Sequence, residues 1–154
     1  MKRPRSLILA CISGLTLVFG ASNGWAQSSS DPHCIVIARG ALPNGDEFFG
    51  HATINIDFSA SPGGLWRHFV PSSSDSAEEV FVGRIENGIC IRNGRTFVQL
   101  FGVGRYTGRP VEFEFFGYDG ATDNYLIIIR DFDGKVVYSA LGDLASGDIS
   151  AAFP

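Results

Sequence analysis

The chain lacks almost everything that usually announces an enzyme. Three histidines, His33, His51 and His68, are all it offers for base or metal work, and no two are two or four residues apart. A transition-metal site would therefore have to be gathered by the fold, because no helix or strand face carries a ready ligand pair. Gly-x-Ser-x-Gly is absent, which removes the nucleophile elbow of the α/β hydrolases. Gly102-x-Gly104-x-x-x-Gly108 follows a strand pattern without opening a helix, so the backbone amides that cradle phosphate are missing. Beyond residue 20 there is neither an apolar stripe of helical period nor a run long enough to cross a membrane.

The first 26 residues look like an export leader. Lys2, Arg3 and Arg5 precede the apolar stretch from Leu7 to Phe19, and Gly24 and Ala26 bracket Trp25 as a signal peptidase requires. Cys11 after Ile8-Leu9-Ala10 is an alternative lipoprotein anchor, but it leaves a very short apolar core before the cleavage site. Cleavage after Ala26 removes three basic residues and takes the formal charge from −4 to −7, a sign that disfavours nucleic acid and anionic membranes. The expected product is secreted or periplasmic, with no membrane insertion once the leader is gone. Of three cysteines it keeps Cys34 and Cys90, and an even pair in an oxidising compartment predicts a disulfide.

What the chain has in abundance is turn chemistry. Asn44-Gly45, Gly63-Gly64, Asn87-Gly88, Asn93-Gly94, Asp119-Gly120 and Asp133-Gly134 punctuate short apolar or alternating runs. Asn-Gly and Asp-Gly tolerate the positive φ that tight hairpins demand, so the pattern predicts a meander of hairpins. Residues 27–33 read as a polar lead-in, and 34–154 as a single domain. The expected strands run from Cys34 to Arg39, Phe48 to Ala60, Leu65 to Phe69, Glu79 to Ile85, Ile89 to Arg92, Thr96 to Tyr106, Val111 to Gly117, Tyr125 to Asp131 and Lys135 to Leu141. Ala52, Ile54, Ile56 and Phe58 alternate with Thr53, Asn55 and Asp57, and Val111, Phe113 and Phe115 with Glu112 and Glu114, giving each sheet one buried face. Leu126 to Ile129 is apolar throughout, as in a strand covered on both sides. Together these patterns predict an all-β, antiparallel β-sandwich of eight or nine strands, with a closed β-barrel as the alternative.

Val82-Gly83-Arg84-Ile85, Gly102-Val103-Gly104-Arg105-Tyr106, Pro110-Val111-Glu112-Phe113 and the run from Leu126 through Asp131-Phe132-Asp133-Gly134 to Tyr138, with Asn93-Gly94 between the first two, resemble the post-COAP domains of secreted bacterial proteins. The resemblance spans most of residues 27–154 and implies a β-sandwich in an extracytoplasmic setting. It implies no activity or site residue. At the front, the Gly-rich opening of such domains is reduced to Gly40.

Four constellations remain as candidate sites. Asp119, Asp123 and Asp143 fall at one end of adjacent strands, whereas Asp131 and Asp133 fall at the other; the first three are candidate calcium ligands, against Asp side chains that cap their own turn amides. Trp66, Tyr106 and Tyr118 are candidate stacking residues for a sugar ring or a protein partner, with Trp66 alternatively plugging the core. Glu112 and Glu114, or Asp119 and Asp123, are the carboxylates a glycan-active hydrolase would use as acid and base. The loop from Pro71 to Ala77 is the segment an inhibitor of a secreted hydrolase would present. A non-enzymatic binding or structural module, needing no cofactor, is the expectation that these weak signals favour.

Overall fold

A computed structural model describes residues 33–56, 61–71 and 79–154. The leader, nearly all of the lead-in and the expected inhibitory loop apart from Pro71 lie outside the described residues. Nine strands form: β1 His33–Ala41, β2 Glu47–Asn55, β3 Gly63–Val70, β4 Glu79–Asn93, β5 Arg95–Tyr106, β6 Arg109–Asp119, β7 Asn124–Arg130, β8 Val136–Asp143 and β9 Ser146–Ala152. Among the described residues there is no helix.

The all-β hairpin architecture follows the turn chemistry. Gly45, Gly94 and Gly134 take φ of 91°, 74° and 82°, and between β5 and β6 the pair Thr107-Gly108 adopts positive φ at both positions, as a two-residue hairpin of matching twist requires. The strands do not divide into two packed sheets. They make one continuous antiparallel sheet in the order β8-β7-β6-β5-β4-β3-β2-β1-β9, curled into an open half-barrel. Each hairpin pairs sequence neighbours, and the curl of the sheet buries its apolar face.

Three expectations about the strands change for physical reasons. Asn87-Gly88 is no hairpin turn: β4 runs through it as a single strand of 15 residues, with a register shift between Ile85 and Asn87. Gly88 is buried there, and a side chain would meet Leu100 and Ile54 at about 3.0 and 3.1 Å, so the glycine serves packing within a bulge. Leu126 and Ile128 are half-buried on the outer face while Tyr125, Ile127 and Ile129 point inward, so β7 is lined on one face and only partly screened on the other. β9 was not expected at all, because Ser146 to Ala152 is dominated by small residues with Ile149 as its single large apolar side chain.

The curl is strong. Cys34 on β1 and Cys90 on β4 are joined in a disulfide with Cα atoms 6.4 Å apart, although three strand spacings in a flat sheet would separate them by about 14 Å. Across the hollow, Trp66 of β3 packs on Phe115 of β6 with ring centroids 4.1 Å apart, and Phe48 of β2 on Tyr125 of β7 at 4.2 Å. Room for Trp66 comes from Gly50 directly opposite on β2, where any Cβ would sit 2.1 Å from the indole. Val98, Leu100, Ile127, Ile129 and Ile149, all fully buried, fill the remainder.

Candidate functional site

The strand alternation that turns Arg67 outward turns Trp66 and His68 inward. Both are fully buried, and their polar atoms must find partners there. Trp66 Nε1–H donates to the Tyr125 hydroxyl oxygen at 3.2 Å. Since indole has no other role, that oxygen is left free to donate its proton to His68 Nδ1, 2.9 Å away. The imidazole then carries its hydrogen on Nε2 and donates it to Asp46 Oδ2 at 3.1 Å. Tyr138 O–H donates to the same carboxylate oxygen, and its oxygen lies 3.2 Å from His68 Nε2. Donation thus runs from Trp66 through Tyr125 and His68 to Asp46, where the carboxylate also accepts from Tyr138. No buried side-chain nitrogen or oxygen among the described residues is left without a partner.

Asp46 reaches this position from the turn between β1 and β2. Leu42 N–H donates to the Asp46 carbonyl at 2.8 Å, Gly45 N–H to the Leu42 carbonyl at 2.9 Å, and Asp46 N–H to Asn44 Oδ1 at 3.1 Å. The turn residues Leu42 and Pro43 also face Gly142 of β8. His68 and Tyr138 belong to strands five places apart in the sheet order, so the Asp46 carboxylate joins two parts of the sheet that no ladder connects. Burial lowers the His68 pKa despite the opposing pull of Asp46, in keeping with the neutral Nε2–H tautomer. Burial likewise raises the phenols of Tyr125 and Tyr138, Asp46 reinforcing the second. Tyr106, its ring tilted against that of Tyr138 with centroids 5.5 Å apart, donates to Glu79 and has its pKa raised by burial and by that carboxylate.

A second clasp holds β9. Asp123 Oδ2 accepts the Ile149 N–H at 2.6 Å and its Oδ1 the Gly120 N–H at 3.0 Å, while Asp119 Oδ2 accepts the Ala151 N–H at 2.9 Å. These β9 amides face away from β1, so two carboxylates stand in for a neighbouring strand. Asp143 takes its bond from the Asn124 side chain. Asp148 alongside has its pKa raised, by desolvation first and then by the charges of Asp123 and Asp119.

The candidate calcium ligands Asp119, Asp123 and Asp143 do lie at one end of β6 to β8, away from Asp131 and Asp133, but each spends carboxylate oxygens on amide donors. Among the described residues no group of three or more His, Cys, Asp or Glu is arranged to hold a metal ion. The three aromatic candidates are not brought onto one surface. Trp66 is core, Tyr106 is buried beside Tyr138, and only Tyr118 is exposed, on the outer face against Phe97. Glu112 and Glu114 point outward as alternation indicates. Glu114 accepts from Gln99 Nε2 at 2.9 Å and faces Arg130 at 3.4 Å, and a shallow open depression runs over the pair and Glu86.

Sequence reasoning missed Asp46, Tyr125 and Tyr138 as one constellation. The available signal was His68 itself, which strand alternation places in the core, where an imidazole requires polar company. No family model, curated protein or solved structure matches the chain.

Proposed function

We propose that this chain is an exported, non-catalytic binding module of the post-COAP type, its two sheet halves facing each other across one core in the sandwich manner of that family, with a glycan or protein as partner outside the cytoplasm and no cofactor. One observation carries the reading: among the described residues, the cluster with the composition of catalytic machinery, His68 with Asp46, Tyr125 and the partly buried Tyr138, spends its donors and acceptors on itself, and its imidazole is fully buried. An imidazole whose two nitrogens are already engaged inside a packed core has no proton to exchange with a substrate. The disulfide fits an oxidising compartment.

The carboxylate-dependent hydrolase is the alternative from another class, and Glu112 with Glu114 is its best pair. Against it, Glu112 is exposed and Glu114 is tied to Gln99 and Arg130, whereas a general acid is ordinarily raised in pKa by an apolar setting. The discriminating experiment incubates the purified full chain with neutral and acidic polysaccharides and follows both retardation in affinity gels and release of reducing ends. Retardation without release is expected. Release that Glu112→Gln or Glu114→Gln abolishes would establish the enzyme instead.

A further inference from the structure

The convex face of β1 to β5 carries a row of side chains set by register alone. Arg39 lies opposite Phe49, Phe49 opposite Arg67, Arg67 opposite Val82, and Val82 opposite Arg105. All five point outward and are exposed, Phe49 by 44%. A cation thus recurs on every second strand with an apolar side chain between. Among the described residues neither Arg39 nor Arg67 has an ion-pair or hydrogen-bond partner, and Arg105 spends one N–H on the Gly108 carbonyl. An open depression of about 530 Å³ lies over the first half of the row, with Arg39, Phe49, Arg67 and Phe69 on its walls and Glu47 at its edge. On the neighbouring strand β9, the exposed Asp148 lies directly opposite Arg39 in the register.

Resting on the binding-module reading, we infer that this row is the binding site and that its ligand is an anionic polysaccharide with a carboxylate recurring along the chain. Two strand spacings place successive arginines about 10 Å apart, comparable to the span of two sugar rings. Alternate side chains of an extended acidic peptide are only about 6.8 Å apart, and the phosphates of a nucleic-acid strand are closer still along its axis, about 3.4 Å. The guanidinium fork matches a carboxylate in two parallel hydrogen bonds. Phe49, standing between two such forks, offers its ring to the apolar face of the intervening sugar, and Glu47 accepts from a sugar hydroxyl. In a chain whose overall charge is negative, this concentration of arginines, none in an ion pair among the described residues, draws an anionic polymer to one face.

The test titrates the purified full chain with polygalacturonate and with the same polymer fully methyl-esterified, at low and at physiological salt. Binding of the acid form alone is expected, weakening as salt rises. Arg39→Gln and Arg67→Gln should each lower affinity about tenfold or more, Phe49→Ala should lower it as well, and melting temperatures should stay at the parent value. Arg39→Lys, which keeps the charge and loses the fork, should fall between. Equal binding of the ester, no binding of either polymer, or arginine variants that bind like the parent would overturn the inference. So would tighter capture by polyglutamate or by phosphatidylglycerol vesicles, results that leave the binding-module reading standing. Shortened polymer chains would instead overturn that reading.

Discussion

Replacing His68 with alanine is expected to destabilise the protein by about 3–5 kcal/mol, because it empties a buried site and takes a hydrogen-bond donor from the buried Asp46 carboxylate. The ring is fully buried, so the variant leaves a cavity beside Tyr125 and Tyr138. More costly is what it does to Asp46, whose carboxylate stays at 2% exposure with Tyr138 as its remaining side-chain donor. Tyr125 loses its acceptor at the same time, although Trp66 still donates to it. Asp46→Asn should cost less, because the amide oxygen still accepts from His68 and Tyr138 without a buried charge. Urea unfolding of parent and variants, with m compared as well as midpoint, measures the difference. A loss within about 0.5 kcal/mol, the scale of ordinary surface substitutions, would mean that the clasp contributes little to holding the sheet closed.

Opening the Cys34–Cys90 bridge is the second large effect. The cysteines are 56 residues apart, and the chain-entropy relation gives roughly 4 kcal/mol for a loop of that length. The bridge joins β1 to β4 at the end where β3 begins only at Gly63, so it secures the curl where ladder contacts are fewest. Cys34 is fully buried and Cys90 packs at the core's margin, so the double variant Cys34→Ala, Cys90→Ala separates loss of the cross-link from burial of a new polar group. Unfolding of the oxidised protein, the reduced protein and that double variant should give two nearly equal, lowered stabilities for the last two. Since a domain of this size is stable by only about 5–15 kcal/mol, either this change or His68→Ala removes a large share of the whole.

How much of this was legible in the sequence depended on the range over which each feature is determined. Val111, Phe113 and Phe115 face inward and Glu112 faces outward because alternation is local. Asn93-Gly94 and Asp133-Gly134 turn the chain because their preference for positive φ is local as well. Asn87-Gly88 has the same chemistry yet stays in strand, because Gly88 must make room for Leu100 and Ile54, contacts that exist only after the sheet curls. β9 has little apolar pattern of its own and is recruited by Asp119 and Asp123 from the far side of the fold. Trp66, His68 and Asp46 follow the same logic: Asp46 in Asn-Gly-Asp-Glu reads as one more turn acid until the curl carries it between His68 and Tyr138. The arginine row was equally hidden, since five residues from five strands become neighbours only when every register is fixed.

The most direct test of this sealed interior is the protonation of His68 as pH falls. Its folded-state pKa is lowered from 6.5 by burial, so between that value and the lower folded one the unfolded chain binds more protons, and stability must decline as pH drops through this window. The phenols of Tyr125 and Tyr138 act oppositely at the alkaline end. Their folded pKa values are raised, so stability is lost as pH climbs past the ordinary tyrosine range near 10. Nitrogen-15 NMR of the imidazole, recorded across the acid range alongside urea midpoints, should show a neutral Nε2–H ring that persists at pH 6.5 and gains its proton below the ordinary histidine value, while the midpoint falls. A ring that titrates reversibly near 6.5 with the midpoint unchanged would contradict the account, for it would place His68 in contact with solvent and available for chemistry.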